Sequence, residues 1–184
     1  MKRIAVLVGS LRRESINRKL ARVLARLSED RLEFNILELS DLPLYNEDLW
    51  EGLPPAVPRI KKQIEQADAV LFVSPEYNRS FTAVIKNAID WGTRPYGQNV
   101  FSGKPAAVVG TTPGAIGAAV GQNQLKSVLL AANAIVMGQP ELYLSWKPEQ
   151  FDDEDRIVSE ATRSFLENWV AHCDQFIERV SGRP

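Results

Sequence analysis

Two residue types are almost missing from this chain: it has one cysteine, Cys173, and one histidine, His172. A lone thiol rules out an internal disulfide and a cysteine-rich metal site, and at position 173 it leaves no cysteine nucleophile for a strand-to-helix loop. Cys173 reads as a small core residue, and His172 beside it as a partly buried structural side chain. No metal centre is expected. Long apolar runs are also lacking: none approaches the ~20 residues that cross a bilayer, so no membrane insertion is expected. Met1-Lys2-Arg3 leads straight into a short apolar stretch without a cleavable signal pattern, and a cytoplasmic, reducing setting is the expectation. Nor does charge of one sign dominate, since the formal net charge is −1 and the pI is near 5.9. Without an overall basic footprint, nucleic acid is not an expected partner. Repeats and low-complexity linkers are absent, and Leu53-Pro54-Pro55-Ala56-Val57-Pro58 reads as a stiff connection inside one domain. At 45% hydrophobic, residues 1–184 are expected to share one sizeable core.

What is present is unevenly placed. Residues 1–31 carry nine Lys or Arg against three acids, Glu14, Glu29 and Asp30. Most of these cations read as a solvated helix face; an anion site needs only one or two.

Residues 4–8 form a short β-branched apolar run that stops at Gly9, the pattern of a strand covered on both faces. Ile16, Leu20, Val23, Leu24 and Leu27 then recur at helical spacing with the arginines opposite. A second strand is expected at 33–39, a helix at 57–66, and a third, doubly covered strand at 69–74. Helix 82–91, strand 105–110, helix 122–132 and strand 134–137 follow, with 141–144 as an extension of the fifth strand beyond Pro140. A long last helix is expected from about Asp152, with Ile157, Phe165, Leu166, Trp169, Cys173, Phe176 and Val180 along one side. This alternation predicts an α/β, three-layer, doubly wound fold on a parallel five-stranded sheet in the order 2-1-3-4-5. Ligands bind such sheets beyond the carboxyl ends of the strands, beside the first strand. Loops 9–17, 74–81 and 110–117 converge there.

Loop 9–17, Gly-Ser-Leu-Arg-Arg-Glu-Ser-Ile-Asn, joins a covered strand to a helix N-terminus, where free N–H groups and the positive end of the helix dipole favour a phosphate. Ser10 and Ser15 add hydroxyls, Asn17 an amide, and Arg12 a charge able to pair with a dianion. Ordinary capping accounts for Ser15 equally well. With one glycine, the loop matches neither G-x-x-x-x-G-K-[ST] nor G-x-G-x-x-G. In loop 74–81, Ser-Pro-Glu-Tyr-Asn-Arg-Ser-Phe, Pro75 fixes one torsion and bars Ser74 from the helical region. Glu76, Tyr77 and Asn78 then present polar groups and a flat aromatic to a planar ring, or simply form a βα turn. Loop 110–117 contains Gly114 and Gly117, which permit close backbone approach, and hydroxyls on Thr111 and Thr112; an irregular strand exit has the same composition.

Gly9-Ser10-Leu11-Arg12 with Ser15, Asn17 and Leu20, then Pro75-Glu76-Tyr77-Asn78 with Ser80, and Lys86-Asn87-Ala88-Ile89-Asp90-Trp91 resemble the NADPH-dependent FMN reductase family, most closely its bacterial chromate and quinone reductases. The resemblance runs from the first strand to about Glu141. It implies a flavodoxin-like fold holding FMN noncovalently, with Ser10, Arg12, Ser15, Asn17 and the Ile16 backbone around the phosphate. It puts Pro75, Glu76, Tyr77 and Asn78 beside the ribityl chain and isoalloxazine, and brings the loop from Thr111 through Gly114 to Gly117 toward the ring. NADPH or NADH is the implied donor; quinones, flavins, azo compounds and chromate are the implied acceptors. A homodimer or homotetramer with the flavin near a subunit interface is also implied. Glu141 resembles a glutamate of an inter-subunit hydrogen-bond network in the chromate-reducing branch, but Val120 and Asn123 stand where that branch often has Arg and Tyr. Trp91 could border the flavin or serve helix packing.

The alternative is a flavodoxin-like electron carrier serving a protein partner. Such carriers usually pair a Thr-rich first loop with a strongly acidic surface, whereas this loop has Arg12 and Arg13 and the chain is nearly neutral. The contrast favours an enzyme. Hydride transfer to a flavin needs no side-chain nucleophile, so no catalytic residue is assigned. Ping-pong turnover is expected, the nucleotide leaving before the acceptor enters. Parallel initial-rate lines with NADPH and a quinone are the expected result, and a sequential pattern overturns it.

Overall fold

In the computed structural model, which describes residues 1–182, strand β1 (Lys2–Val8) has parallel neighbours on both sides, β2 (Leu32–Ile36) and β3 (Ala69–Val73). Strand β4 (Pro105–Thr112) pairs with β3, and β5 (Ile135–Val136) with β4, giving the expected order β2-β1-β3-β4-β5. Side chains alternate between the two faces. Ile4, Val6 and Val8 pack under α1 (Ile16–Leu27) and α5 (Glu160–Ser181) with Leu20, Leu24, Trp169 and Ile177. Ala5 and Leu7 face the other layer, α2 (Ala56–Glu65), α3 (Ala83–Thr93) and α4 (Ala119–Ala131), among Val57, Ile60, Ile85 and Leu125. Both faces being covered, the inner strands β1 and β3 read as apolar runs while edge strand β2 alternates, and each fully buried Leu, Ile or Val contributes roughly 1.5–3 kcal/mol. Among the described residues no helix is long and apolar enough to cross a membrane.

The fifth strand is interrupted. From Pro105 to Gly110 β4 advances five residues while its edge partner advances eight, from Ile135 to Tyr143. The surplus loops out around Pro140, which has no N–H to give a ladder. Pairing then resumes as β6 (Tyr143–Ser145) beside Gly110–Thr112.

Three boundaries differ from expectation. The second strand ends at Ile36, because Glu38 turns its carboxylate to the Ser40 N–H (2.8 Å) and bends the chain, although Leu37 and Leu39 remain in the core. Helix α4 starts at Ala119, earlier than expected, after Gly117 and Ala118 both take left-handed torsions. The last helix starts at Glu160 and not near Asp152. The Asp152 carboxylate accepts from the N–H groups of Glu154 and Arg156 (both 2.9 Å), competing with helical pairing, and Ser159 supplies the real N-cap. Thr162, Leu166, Trp169, Val170, Cys173 and Ile177 form the buried side of this helix, so that Phe165 lies at the solvent edge and His172 is exposed, not partly buried. The acidic loop also engages the basic face of α1: Lys19 pairs with Asp155 (2.8 Å), and Arg26 donates to the carbonyls of Glu154 and Asp155.

Gly110 on β4 lies so close to the residue that follows β3 that a Cβ would collide with the Ser74 carbonyl oxygen. Gly110→Ala is expected to lower the stability of the flavin-free protein by about 1–3 kcal/mol. The check is a lower urea midpoint at unchanged slope; an unaltered midpoint means that the strands can part at no cost.

Candidate functional site

Beyond the carboxyl ends of β1, β3 and β4 lies an open cleft of about 210 Å³. Its wall includes Ser10, Arg12, Ser15, Ile16, Asn17, Pro75, Glu76, Tyr77 and Thr111, nine of the expected residues. Asn78 and Gly114 are not on it. Asn78 sits at the exposed tip of a turn, and Gly114 is exposed with its carbonyl accepting from Ser145 Oγ (2.8 Å).

The first wall begins where β1 leaves the sheet. Gly9 N–H still donates to Val73 O (2.9 Å), and a Cβ on Gly9 would press within 2.8 Å of the Ile85 side chain on α3. Ser15 caps α1, its Oγ accepting from Arg18 N–H (3.2 Å) and keeping its own proton to donate. Among the described residues, the backbone N–H groups of residues 10–14, 16 and 17 donate to no protein acceptor, and the Ser10 hydroxyl has no partner. These are orphan donors at the positive end of a helix. Arg12 and Arg13 are both exposed and outside any ion pair of the described residues, but only Arg12 borders the cleft. Glu14 borders it too, so an anion is held by the N–H groups and Arg12 against one opposing charge.

The second wall is a tight turn. Tyr77 and Ser80 exchange backbone hydrogen bonds (2.9 and 3.0 Å) across Asn78 and Arg79, whose φ values are 51° and 64°. Two successive left-handed residues make a type I′ turn, which is easy for Asn and strained for Arg. The strain is held by neighbours: Glu76 Oε2 accepts from Gly121 N–H in the first turn of α4 (3.0 Å), Glu76 Oε1 pairs with Arg79 (3.2 Å), and Gln124 Nε2 donates to Arg79 O (3.0 Å). The Glu76 carboxylate is thus committed to the turn. Tyr77, 52% exposed, stands at the rim.

The third wall departs most from expectation. Thr111, 0% exposed, gives its hydroxyl to Leu144 O (2.6 Å) and offers none to the cleft. Asn17, 2% exposed, turns its amide to Thr111: Nδ2 donates to Thr111 O (2.9 Å) and Oδ1 accepts from Thr111 N–H (3.0 Å). Its side chain joins two walls where an anion donor was expected. Thr112, whose hydroxyl was expected there, and Pro113 complete the wall; the residue type of Pro113 did not single it out within the loop, and Glu14 was hidden as an acid in a basic segment. Gln122, fully buried, was missed as well; its Nε2 donates to Gly117 O and Leu142 O.

Two other groups lie apart from the cleft wall. Trp91 is a packing residue, its Nε1 donating to Pro43 O (2.8 Å) and its ring edge-on to Tyr45 and Trp50. Glu141 pairs within the chain with Lys126 (2.8 Å), which with Tyr143 holds its carboxyl below the usual range. Tyr143, pushed up to about 12 chiefly by burial, accepts from Asn123 Nδ2 (3.1 Å).

A parallel sheet in this order, with its cleft beside the first strand, defines a flavodoxin-like α/β protein. The chain belongs to the NADPH-dependent FMN reductase family, whose profile matches residues 2–148. It is therefore an oxidoreductase working with FMN and a nicotinamide nucleotide. A 2-hydroxy-1,4-benzoquinone reductase of a Burkholderia species is 44% identical over 91% of this chain and 92% of that protein. A quinone reductase of Pseudomonas putida is 47% identical over 91% and 90%. The solved flavoenzyme NAD(P)H:(acceptor) oxidoreductase FerB of Paracoccus denitrificans superposes with a TM-score of 0.95 at 51% identity, covering 97% of this chain and 98% of that one.

Cys173 takes no part in this chemistry. It is 4% exposed, and burial pushes its thiol up to about 12, so no thiolate forms near neutrality. The native protein is expected to leave a thiol reagent unreacted at mildly alkaline pH and to consume one equivalent once unfolded; prompt native reaction would contradict the burial.

Proposed function

We propose that this enzyme reduces quinones at the expense of NAD(P)H, with FMN seated in the cleft between the three loops. The observation that carries the seat is the set of orphan N–H donors at residues 10–14, 16 and 17 beside Arg12, which suits a phosphate dianion. Ser10 and Ser15 would add hydroxyl donors there. Pro75, Glu76 and Tyr77 would border the chain and ring from one side, and Thr111 with the loop after it from the other. Bound there, FMN supplies the hydride chemistry, and no side-chain base or nucleophile is required. The protein's share is to bind the phosphate, hold the ring and leave one side open to solvent. A cleft open at its mouth, with Tyr77 on the rim, supports one exposed ring face used in turn by donor and acceptor, hence ping-pong turnover.

The quinone assignment draws on the names of the Burkholderia and Pseudomonas putida relatives. Free flavins, azo compounds and chromate are further acceptors for the same open face. Leu11, Tyr77, Ile116 and Val120 are exposed on the cleft loops and the first turn of α4, an apolar rim that supports burial in a homodimer or homotetramer. The two side-chain layers share one sheet, which supports a single domain, and we place the protein in the cytoplasm.

Arg12→Ala is expected to weaken FMN binding by roughly 10- to 100-fold, the worth of charged hydrogen bonds to a phosphate, while Arg13→Ala changes it little. Titration of the flavin-free proteins with FMN, followed by quenching of flavin fluorescence, measures both. Equal affinities in the two variants would show that the phosphate partner is misassigned, and a colourless protein that ignores added FMN removes the reading altogether.

A further inference from the structure

Strand β3 leaves the sheet after Ser74, whose N–H makes the last ladder bond, to Val109 O (2.9 Å). Strand β4 continues to Thr112. In a strand the backbone groups of alternate residues point to the same side, so Thr111, two residues past Val109, presents its N–H and C=O toward the edge β3 has vacated. Those groups are buried, and unpaired they would each be costly. Asn17 fills the gap: its amide pairs with both backbone groups of one residue, as the next stretch of β3 would. A longer β3 would satisfy Thr111 equally well but would close the crevice that loop 74–81 opens.

We propose that Asn17 is a positioning residue that locks the phosphate-side loop 9–17 to the ring-side loop 110–117, so that the state of the flavin ring depends on a side chain from the phosphate loop. This rests on the seating of FMN argued above. The lock itself does not depend on it: one amide, the N–H and C=O of one residue, two hydrogen bonds, and no other side chain among the described residues pairing with those Thr111 groups.

The test compares wild type, Asn17→Ala, Asn17→Asp, Arg12→Ala and Arg13→Ala. At saturating FMN, Asn17→Ala is expected to shift the flavin midpoint potential by roughly 30 mV, a tenfold change in relative affinity for the two oxidation states of a two-electron couple. Its visible spectrum should shift as well. Arg13→Ala, whose side chain lies off the cleft, should keep the wild-type potential and spectrum. Asn17→Asp is isosteric and tests the lock without flavin. At neutral pH its carboxylate oxygen faces the Thr111 carbonyl, which raises its folded-state pKa; protonation restores the missing donor. Stability from a group with a raised folded pKa is present at low pH and lost as pH rises through that value. The thermal midpoint of flavin-free Asn17→Asp should therefore approach that of wild type as pH falls. A wild-type potential and spectrum in saturated Asn17→Ala, or a deficit in Asn17→Asp that does not change with pH, overturns the proposal. If Arg12→Ala binds FMN like wild type, the seating fails instead, and the pH test of Asn17→Asp still decides the lock.

Discussion

Where a parallel sheet stops, the strands that run furthest expose backbone donors and acceptors that must be satisfied. In this protein the strand in question is β4, which outlasts β3 on one side and β5 on the other. The Asn17 amide covers the first edge at Thr111, and β6 covers the second at Gly110–Thr112. Everything that makes the cleft follows from this. Because a side chain and not a strand meets Thr111, loop 74–81 is free to swing out over the sheet end, and because β6 returns beside β4, loop 110–117 is held up as a wall.

The same requirement acts on loop 74–81. Freed from the sheet, it makes its own two-bond bridge through a type I′ turn, with Arg79 in a conformation it would not choose. Glu76 and Gln124 hold that turn against the start of α4, and Gly121 lets them come close, since a Cβ there would sit 3.0–3.1 Å from the backbone of Ser80 and Phe81. Pro75, Glu76 and Tyr77 therefore reach the cleft on a rigid frame. Asn78, though part of the same tetrapeptide, is the turn's tip and faces away from the cleft wall.

The sheet order, both helical layers and nine of the eleven expected wall residues were legible in the sequence, because they depend on short-range signals: apolar runs, helical spacing, and the loops that separate them. What escaped depended on partners distant in the chain. Asn17 reads as a phosphate donor until Thr111, 94 residues away, is known to be its neighbour. Thr111 reads as an available hydroxyl until Leu144 claims it. The last helix starts later than its apolar spacing suggests because Asp152 spends its carboxylate on a loop, whose acids in turn meet α1. Side-chain amides and carboxylates are ambiguous in this way throughout: each can serve a ligand or the backbone, and local sequence does not say which.

Charge shows how that ambiguity resolves at the site. Residues 1–31 looked like a basic surface, yet Lys2 is paired with Asp174, Lys19 with Asp155 and Arg31 with Asp30, while Arg26 donates to two carbonyls. Arg3, Arg12, Arg13, Arg18 and Arg22 make no ion pair among the described residues, and of these just Arg12 borders the cleft. A nearly neutral chain can thus offer a local anion site, because position and not net charge selects the cation. Glu141 obeys the same rule: with Lys126 as its partner at 2.8 Å, its charge is met inside the chain, and Val120 and Asn123 add no charge of their own to the first turns of α4.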